Sequence, residues 1–203
     1  MQDLNTIDPI FSALRTISQD VDANFNSGLL YYVSTPITSG LREFLFVEKR
    51  GRGSIAEARR DDAAAYRRGV REANEAISRK CADALSEALV DGMVINPANY
   101  EFSLTQGGYG DLWDAFLERY RPTICFVDGW SYSAGARREF LTSLRLKLNY
   151  CDCQALEVQV GRLLDEFVMS SEVMLDRGWS RWRGDDIYLE LELLRKYIGS
   201  GGS

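Results

Sequence analysis

Glu139 stands where a strand, a loop and a helix start follow one another, in the segment T-I-C-F-V-D-G-W-S-Y-S-A-G-A-R-R-E-F of residues 123–140. Residues 123–127 form an apolar run of buried-strand type. The run breaks at Asp128-Gly129, stays small and polar through Gly135, and turns helical at about Ala136. Such a succession builds ligand sites in open parallel sheets. A carboxylate in a first helical turn is well tolerated, because helix N-termini favour negative charge. Glu139 therefore reads either as an ordinary first-turn residue or as a reactive group. Two further carboxylates, Asp111 and Asp114, lie one turn apart in G-D-L-W-D-A-F. The chain has no histidine, which removes the Ser-His-Asp and Cys-His mechanisms and the commonest zinc ligand. Proton transfer in a metal-free enzyme of this composition falls to carboxylates, Tyr, Lys or Cys.

The elements that must position these groups can be read from periodicity. Asp8-Pro9 opens a helix that runs to about Phe25, with Ile10, Leu14, Ile17 and Val21 as its apolar stripe. Residues 29–34, L-L-Y-Y-V-S, form the first core strand, and residues 35–40 its exit loop. Residues 41–60 read as a short strand or helical turn followed by a basic, Gly-containing loop, the best candidate for a mobile lid. Residues 55–90 form one long helix, or two joined near Gly69, closed by Gly92. Residues 93–97 form a second strand. Residues 106–110, Q-G-G-Y-G, read as a flexible loop before a helix over 111–120. The helix after Gly135 continues to about Leu148, with a last short strand near 146–150. Amphipathic helices follow over 156–176 and 185–198.

Strands alternating with helices imply an α/β fold: an open, mainly parallel sheet in a three-layer sandwich, flavodoxin- or Rossmann-like, with extra N- and C-terminal helices. We expect one domain over residues 1–198, its core at about 29–150 and a helical extension at about 154–198. Residues 199–203 resemble a flexible linker. A ligand is expected at the carboxyl ends of the strands, where the loops after Ser34, Pro97 and Val127 converge. Thr35, Pro36 and Thr38 of the first loop, and Asp128 after the third strand, are candidates to line that pocket.

Bulk properties narrow the function. With 24 Lys and Arg against 30 Asp and Glu, the net charge is −6, which argues against a general nucleic-acid surface. A small phosphorylated ligand remains possible. No apolar run reaches membrane-spanning length, and the N-terminal M-Q-D-L-N-T-I-D-P lacks the features of a signal peptide, so a cytoplasmic location is expected. The four cysteines, Cys81, Cys125, Cys151 and Cys153, read as reduced structural thiols, with no metal and no cofactor expected.

Three segments together, Y-Y-V-S-T-P-I-T-S-G, G-D-L-W-D-A-F and V-D-G-W-S-Y-S-A-G-A-R-R-E-F, resemble the nucleoside 2-deoxyribosyltransferase superfamily, which includes 2′-deoxynucleoside 5′-monophosphate N-glycosidases. The resemblance covers about residues 29–150. It implies an oligomer, at least a homodimer, acting at C1′ of a nucleoside or nucleotide. By this resemblance Glu139 matches the nucleophile, set four residues after Gly135. Asp111, with Asp114 as second candidate, matches the acid that positions the sugar or assists the leaving base. Tyr32 matches a strand-end tyrosine that shapes the pocket, and Ser133 a serine that contacts a 5′-phosphate. Two features depart from the pattern: Ser34-Thr35-Pro36 replaces a frequent glycine, and Arg137 and Arg138 precede the glutamate where small or apolar residues are common. These arginines either keep Glu139 ionised and bind a phosphate, or pair with Glu139 and silence it, or lie on a solvated face. A silent nucleotide-binding module on the same fold is the alternative.

The residue types suit the implied chemistry. Cleaving a C–N glycosidic bond passes through an oxocarbenium-like state, which needs a carboxylate beneath the ring and a proton or hydrogen bonds for the departing base. Singly, each residue also has a plain structural reading. Asp111 would serve as a helix N-cap, Tyr32 as a core aromatic and Ser133 as a loop serine.

Overall fold

A computed structural model describes residues 8–24, 29–51, 55–89, 91–179 and 187–200. Its centre is a sheet of four parallel strands, β1 (Leu30–Ser34), β2 (Met93–Ile95), β3 (Thr123–Phe126) and β4 (Tyr150–Cys151), in the order β2-β1-β3-β4. The chain leaves β1 to one side for β2 and returns to the other side for β3. The β1/β3 boundary is therefore a topological switch point, where ligands gather in open α/β sheets.

Alternation of side chains along β1 sorts the two faces. Tyr31 and Val33 join Cys81, Leu85, Cys125, Val127 and Cys151 beneath α5 (Ala73–Ala88). Tyr32 points the other way, into the larger core built with α1 (Pro9–Asn24), α6 (Gln106–Tyr120), α7 (Ala134–Leu146) and α8 (Val160–Asp176). These are the three layers expected of the α/β sandwich. A third cluster packs α2 (Leu41–Arg50), α3 (Ile55–Asp61) and Val70 against Met174, Trp179 and Ile187, the last at the start of α9 (Ile187–Ser200).

Several boundaries differ from expectation, each for a local reason. Residues 41–50 are a helix, closed by Gly51 in the left-handed region and with Lys49 and Arg50 in its last turn, where cations suit the helix dipole. Residues 52–54 of the expected lid lie outside the described residues. The long helix is broken by a π-helical turn, Arg67–Glu72, that contains Gly69 and joins α4 (Ala63–Tyr66) to α5. Residues 106–110 are not a flexible loop but the first turn of α6, because the Thr105 side chain caps the N–H of Gly108 at 3.1 Å. Asp111 is consequently not an N-cap. The last strand begins at Tyr150, since Lys147, at φ 53, ends α7 first. In the tail α8 starts at Val160, and α9 runs through Gly199 and Ser200 into the expected linker. Residues 185 and 186, the expected start of the last helix, lie outside the described residues.

The cysteines also differ. Cys81 on α5 and Cys153 after β4 are joined as a disulfide, while Cys125 and Cys151 are free and buried. Sequence spacing could dismiss a bridge within C-x-C, but not the folding of the 151–156 turn back over α5. Among the described residues no helix is long and apolar enough to cross a membrane.

Candidate functional site

Two loops from the carboxyl ends of β1 and β3 interlock to form the floor. Gly40 and Gly129 both have positive φ, at 82° and 79°. A Cβ on Gly129 would sit 2.7 Å from the Leu41 Cβ, and one on Gly40 2.7 Å from the Pro36 Cβ, so only glycine fits this close crossing. The Leu41 N–H donates to the Gly129 carbonyl at 3.3 Å, and the Val127 N–H to the Ser34 carbonyl at 3.1 Å. From the side, Asn74 donates to the carbonyls of Ile37 and Ser39 at 3.2 and 3.0 Å, and Tyr66 to that of Thr38 at 2.5 Å. The 35–40 loop is thus braced by α4 and α5 rather than free to swing.

Above this floor α7 begins at a Ser133 cap. The Ser133 hydroxyl accepts the Ala136 N–H at 3.5 Å and shares a 2.8 Å hydrogen bond with Ser39. Glu139, in the second turn of the helix, lies over the end of β1. Its Oε1 accepts from the Tyr32 hydroxyl at 2.8 Å and its Oε2 from the Ser34 hydroxyl at 2.5 Å. Tyr32 and Ser34 are both 0% exposed and occupy alternate positions of one strand face, so the strand presents two hydroxyls to one carboxylate. Burial pushes the Glu139 carboxyl up to about 7; the two hydroxyl donors and Arg138 oppose the shift, and Asp114 adds to it. The Tyr32 phenol is raised well above its ordinary value, first by burial and then by the charge of Glu139.

Arg138 settles which pairing the double arginine makes. Its Nε donates to Asp114 Oδ2 at 2.7 Å and its Nη2 to Asp111 Oδ1 at 2.6 Å. Asp114 also accepts from the Thr142 hydroxyl at 2.8 Å. A methyl at Gly110 would lie 2.4 Å from Arg138 Nη1, so this glycine leaves the path of the guanidinium open. Arg138 thus ties both aspartates of α6 to α7, next to the nucleophile candidate.

Arg137 behaves quite differently, and its expected part in a phosphate site is not supported. It is 2% exposed. It donates to Glu190 at 2.6 Å, to the Ser131 carbonyl at 3.0 Å and to the Ser171 hydroxyl at 2.9 Å, with its guanidinium 3.8 Å over the Phe167 ring. Its role is to fix α7 to α8 and α9.

The structure therefore brings Glu139, Tyr32, Asp114, Arg138 and Asp111 together. Ser133, Gly135, Thr35 and Pro36 lie on the surrounding loops, with Gly135 exposed at the helix start and the Thr35 hydroxyl buried without a hydrogen bond. Thr38 contributes its carbonyl to the bracing, and Asp128 is exposed in the turn after β3. Sequence reasoning missed Ser34, Gly110, Thr142 and Ser39. Ser34 had a usable signal, standing two residues from Tyr32 on a strand, and Thr142 stands one helical turn from Glu139. Neither Gly110 nor Ser39 had one. A cleft of about 430 Å³ opens elsewhere, at the amino ends of β3 and β4 beside Asn149, Tyr150 and Gln159. The convergence of carboxylates and hydroxyls at the switch point, rather than cavity size, marks the Glu139 site.

Compared with protein-family models, with curated proteins and with solved structures, the chain finds no significant match.

Proposed function

We propose that the chain is an N-glycosidase or deoxyribosyltransferase that cleaves the base–sugar bond of a nucleoside or nucleotide, with Glu139 as nucleophile. The observation that carries this reading is the Glu139 carboxylate held between the Tyr32 and Ser34 hydroxyls at the β1/β3 switch point. The hydroxyls fix both oxygens, and the partly buried position keeps the group poorly hydrated. An ionised carboxylate in such a setting is a better nucleophile than one in water. Ionisation near neutral pH supplies that form at working conditions.

In the proposed reaction a Glu139 oxygen forms a bond to C1′ as the C1′–N bond breaks. The bonding pair leaves with the base, which takes up a proton. Water, or a second base, then attacks C1′ and frees the Glu139 carboxylate. Asp111 and Asp114, both ion-paired to Arg138, suit the holding of sugar hydroxyls and the stabilising of positive charge that develops on the ring. For a nucleotide, the exposed start of α7 at Gly135 offers backbone N–H groups to the phosphate.

One observation favours a second reading. Arg138 occupies both aspartates with ion pairs at 2.6 and 2.7 Å, so their carboxylates are already engaged, as expected of a nucleotide-binding module that does not turn over. Incubation with a panel of nucleosides and their 5′-monophosphates, followed by chromatography for free base, tests the enzyme directly. Release that is absent from Glu139→Gln supports it. No release from any compound, together with a thermal shift from one of them, replaces it by the binding module.

Assembly into at least a homodimer belongs to the same proposal. In the tail, Trp179, Ile187 and Leu194 are buried in the chain's own core, while Tyr188, Leu193 and Ile198 are exposed, as is Met169 on α8. This apolar surface suits a second copy.

A further inference from the structure

On the sheet face opposite Glu139, all four cysteines of the chain converge. Cys81 comes from α5, Cys125 from β3, Cys151 from β4 and Cys153 from the turn that follows. Cys125 Sγ lies 3.4 Å from Cys81 Sγ and 3.8 Å from Cys153 Sγ, and these three sulfurs all fall within 4.8 Å of one another. Cys151 is the register partner of Cys125 across the parallel ladder, on the same face of the sheet. A tetrahedral zinc site with Zn–S bonds of about 2.3 Å has sulfurs about 3.8 Å apart, so Cys125 already stands at this spacing from two others.

The turn carrying Cys153 is shaped to return it to the sheet. Asp152 Oδ1 accepts the N–H groups of Gln154 and Leu156 at 2.9 and 3.0 Å, and Ala155 takes a positive φ of 60°, a conformation unfavourable for a residue with a Cβ. Cys81, Cys125 and Cys151 are at most 5% exposed, while Cys153 is partly exposed and gives an ion a way in. Cys81, Cys125 and Cys153 reach this point from a helix, a strand and a turn, which packing of small hydrophobes alone does not require.

We propose that the reduced chain binds one zinc ion through Cys81, Cys125 and Cys153, with Cys151 as the fourth thiolate. The disulfide between Cys81 and Cys153 is the oxidised form of the same cluster. A dithiol reductant delivers two electrons and two protons to it, becoming a cyclic disulfide itself. The four thiols then release their protons as zinc binds, so uptake weakens in acid. The bound ion would clamp α5 to β3 and β4, and soft thiolates favour zinc over hard cations such as magnesium.

The test uses the full chain, reduced with a non-chelating phosphine, equilibrated with zinc and desalted, with metal measured by mass spectrometry. One zinc per chain is expected, together with a raised melting temperature. Cobalt in its place should give the visible bands of a tetrahedral tetrathiolate site. Cys125→Ala and Cys153→Ser should each lower zinc affinity at least 100-fold. Cys153 is partly exposed, so its variant keeps the test valid if Cys125→Ala fails to fold, with circular dichroism as the check. Cys151→Ser should alter the cobalt spectrum. A reduced chain that stays metal-free, or full zinc occupancy in Cys153→Ser, would overturn the site. A cobalt spectrum unchanged by Cys151→Ser would overturn the four-thiolate set.

Discussion

Tyr32 and Glu139, 107 positions apart in sequence, share a 2.8 Å hydrogen bond across the boundary between β1 and α7. The phenol donates and the carboxylate accepts, so the bond is strongest when Glu139 is ionised and Tyr32 is not. Burial raises the phenol well above its ordinary value and so keeps it a donor, while burial also raises the carboxyl to about 7 against the pull of the two hydroxyl donors, so the bond strengthens as pH rises through neutrality.

Glu139→Gln keeps the shape and removes the charge. Base release should fall by at least about 1,000-fold, as expected for loss of a nucleophile acting together with its neighbours. Chromatographic detection of free base is the measurement, and release at the parental rate would take Glu139 out of the mechanism.

The same substitution should change stability with pH. The folded carboxyl titrates at about 7 against an ordinary 4.5. Between these values the native state binds a proton that the unfolded chain does not. Stability from this group is therefore greatest below about pH 4.5, falls as pH rises through 7, and is flat above. The full span is on the order of 3 kcal/mol. Denaturant midpoints at pH 5 and pH 8 should differ less for Glu139→Gln than for the parent.

Tyr32→Phe removes a donor that favours the charged form of Glu139. The rise of kcat/KM with pH, expected to centre near 7 in the free enzyme, should move to higher pH in this variant. An unmoved profile would mean that the bond does not govern ionisation of Glu139.

Gly110→Ala places a methyl where the Arg138 guanidinium runs. Arg138 must leave at least one aspartate, and the two carboxylates then lose their shared cation. Activity should fall by about 10-fold or more while the fold persists, because Arg138 is partly exposed and can rotate away. Arg138→Lys should not restore the parental rate, since a lysine cannot reach both carboxylates in a fixed fork.

Arg137→Leu leaves Glu190, Ser171 and the Ser131 carbonyl without their shared donor. Breaking a buried ion pair from one side costs about 3–5 kcal/mol. Hydrogen exchange should speed up most in α9, which this contact ties to α7 beside the apolar packing of Leu194. Equal protection of α9 in both proteins would remove Arg137 as its anchor.

The architecture was legible because its signals are local. Alternating strand and helix patterns gave the four parallel strands, and the segment 123–140 correctly placed a helix start beyond a strand end. What escaped was set by long-range or single-atom contacts. Arg137 and Arg138 are neighbours in sequence, yet helical geometry sends one into the core and the other onto Asp111 and Asp114. No composition rule separates them. The Cys81–Cys153 pairing needs the path of the turn at Ala155, and the helical start of α6 needs the Thr105 cap, which three nearby glycines concealed.

The strand order has a kinetic consequence. Ser34 and Glu139 meet only after β1 has paired with β3, which closes a loop of about 90 residues by the Ser34–Phe126 register. Closing so long a loop costs entropy that local helices do not face. During refolding, helical signal should therefore return before the Glu139 carboxylate finds its two hydroxyls. Any function that depends on this carboxylate would be the last property of the chain to recover, and the first to be lost when β1 and β3 part.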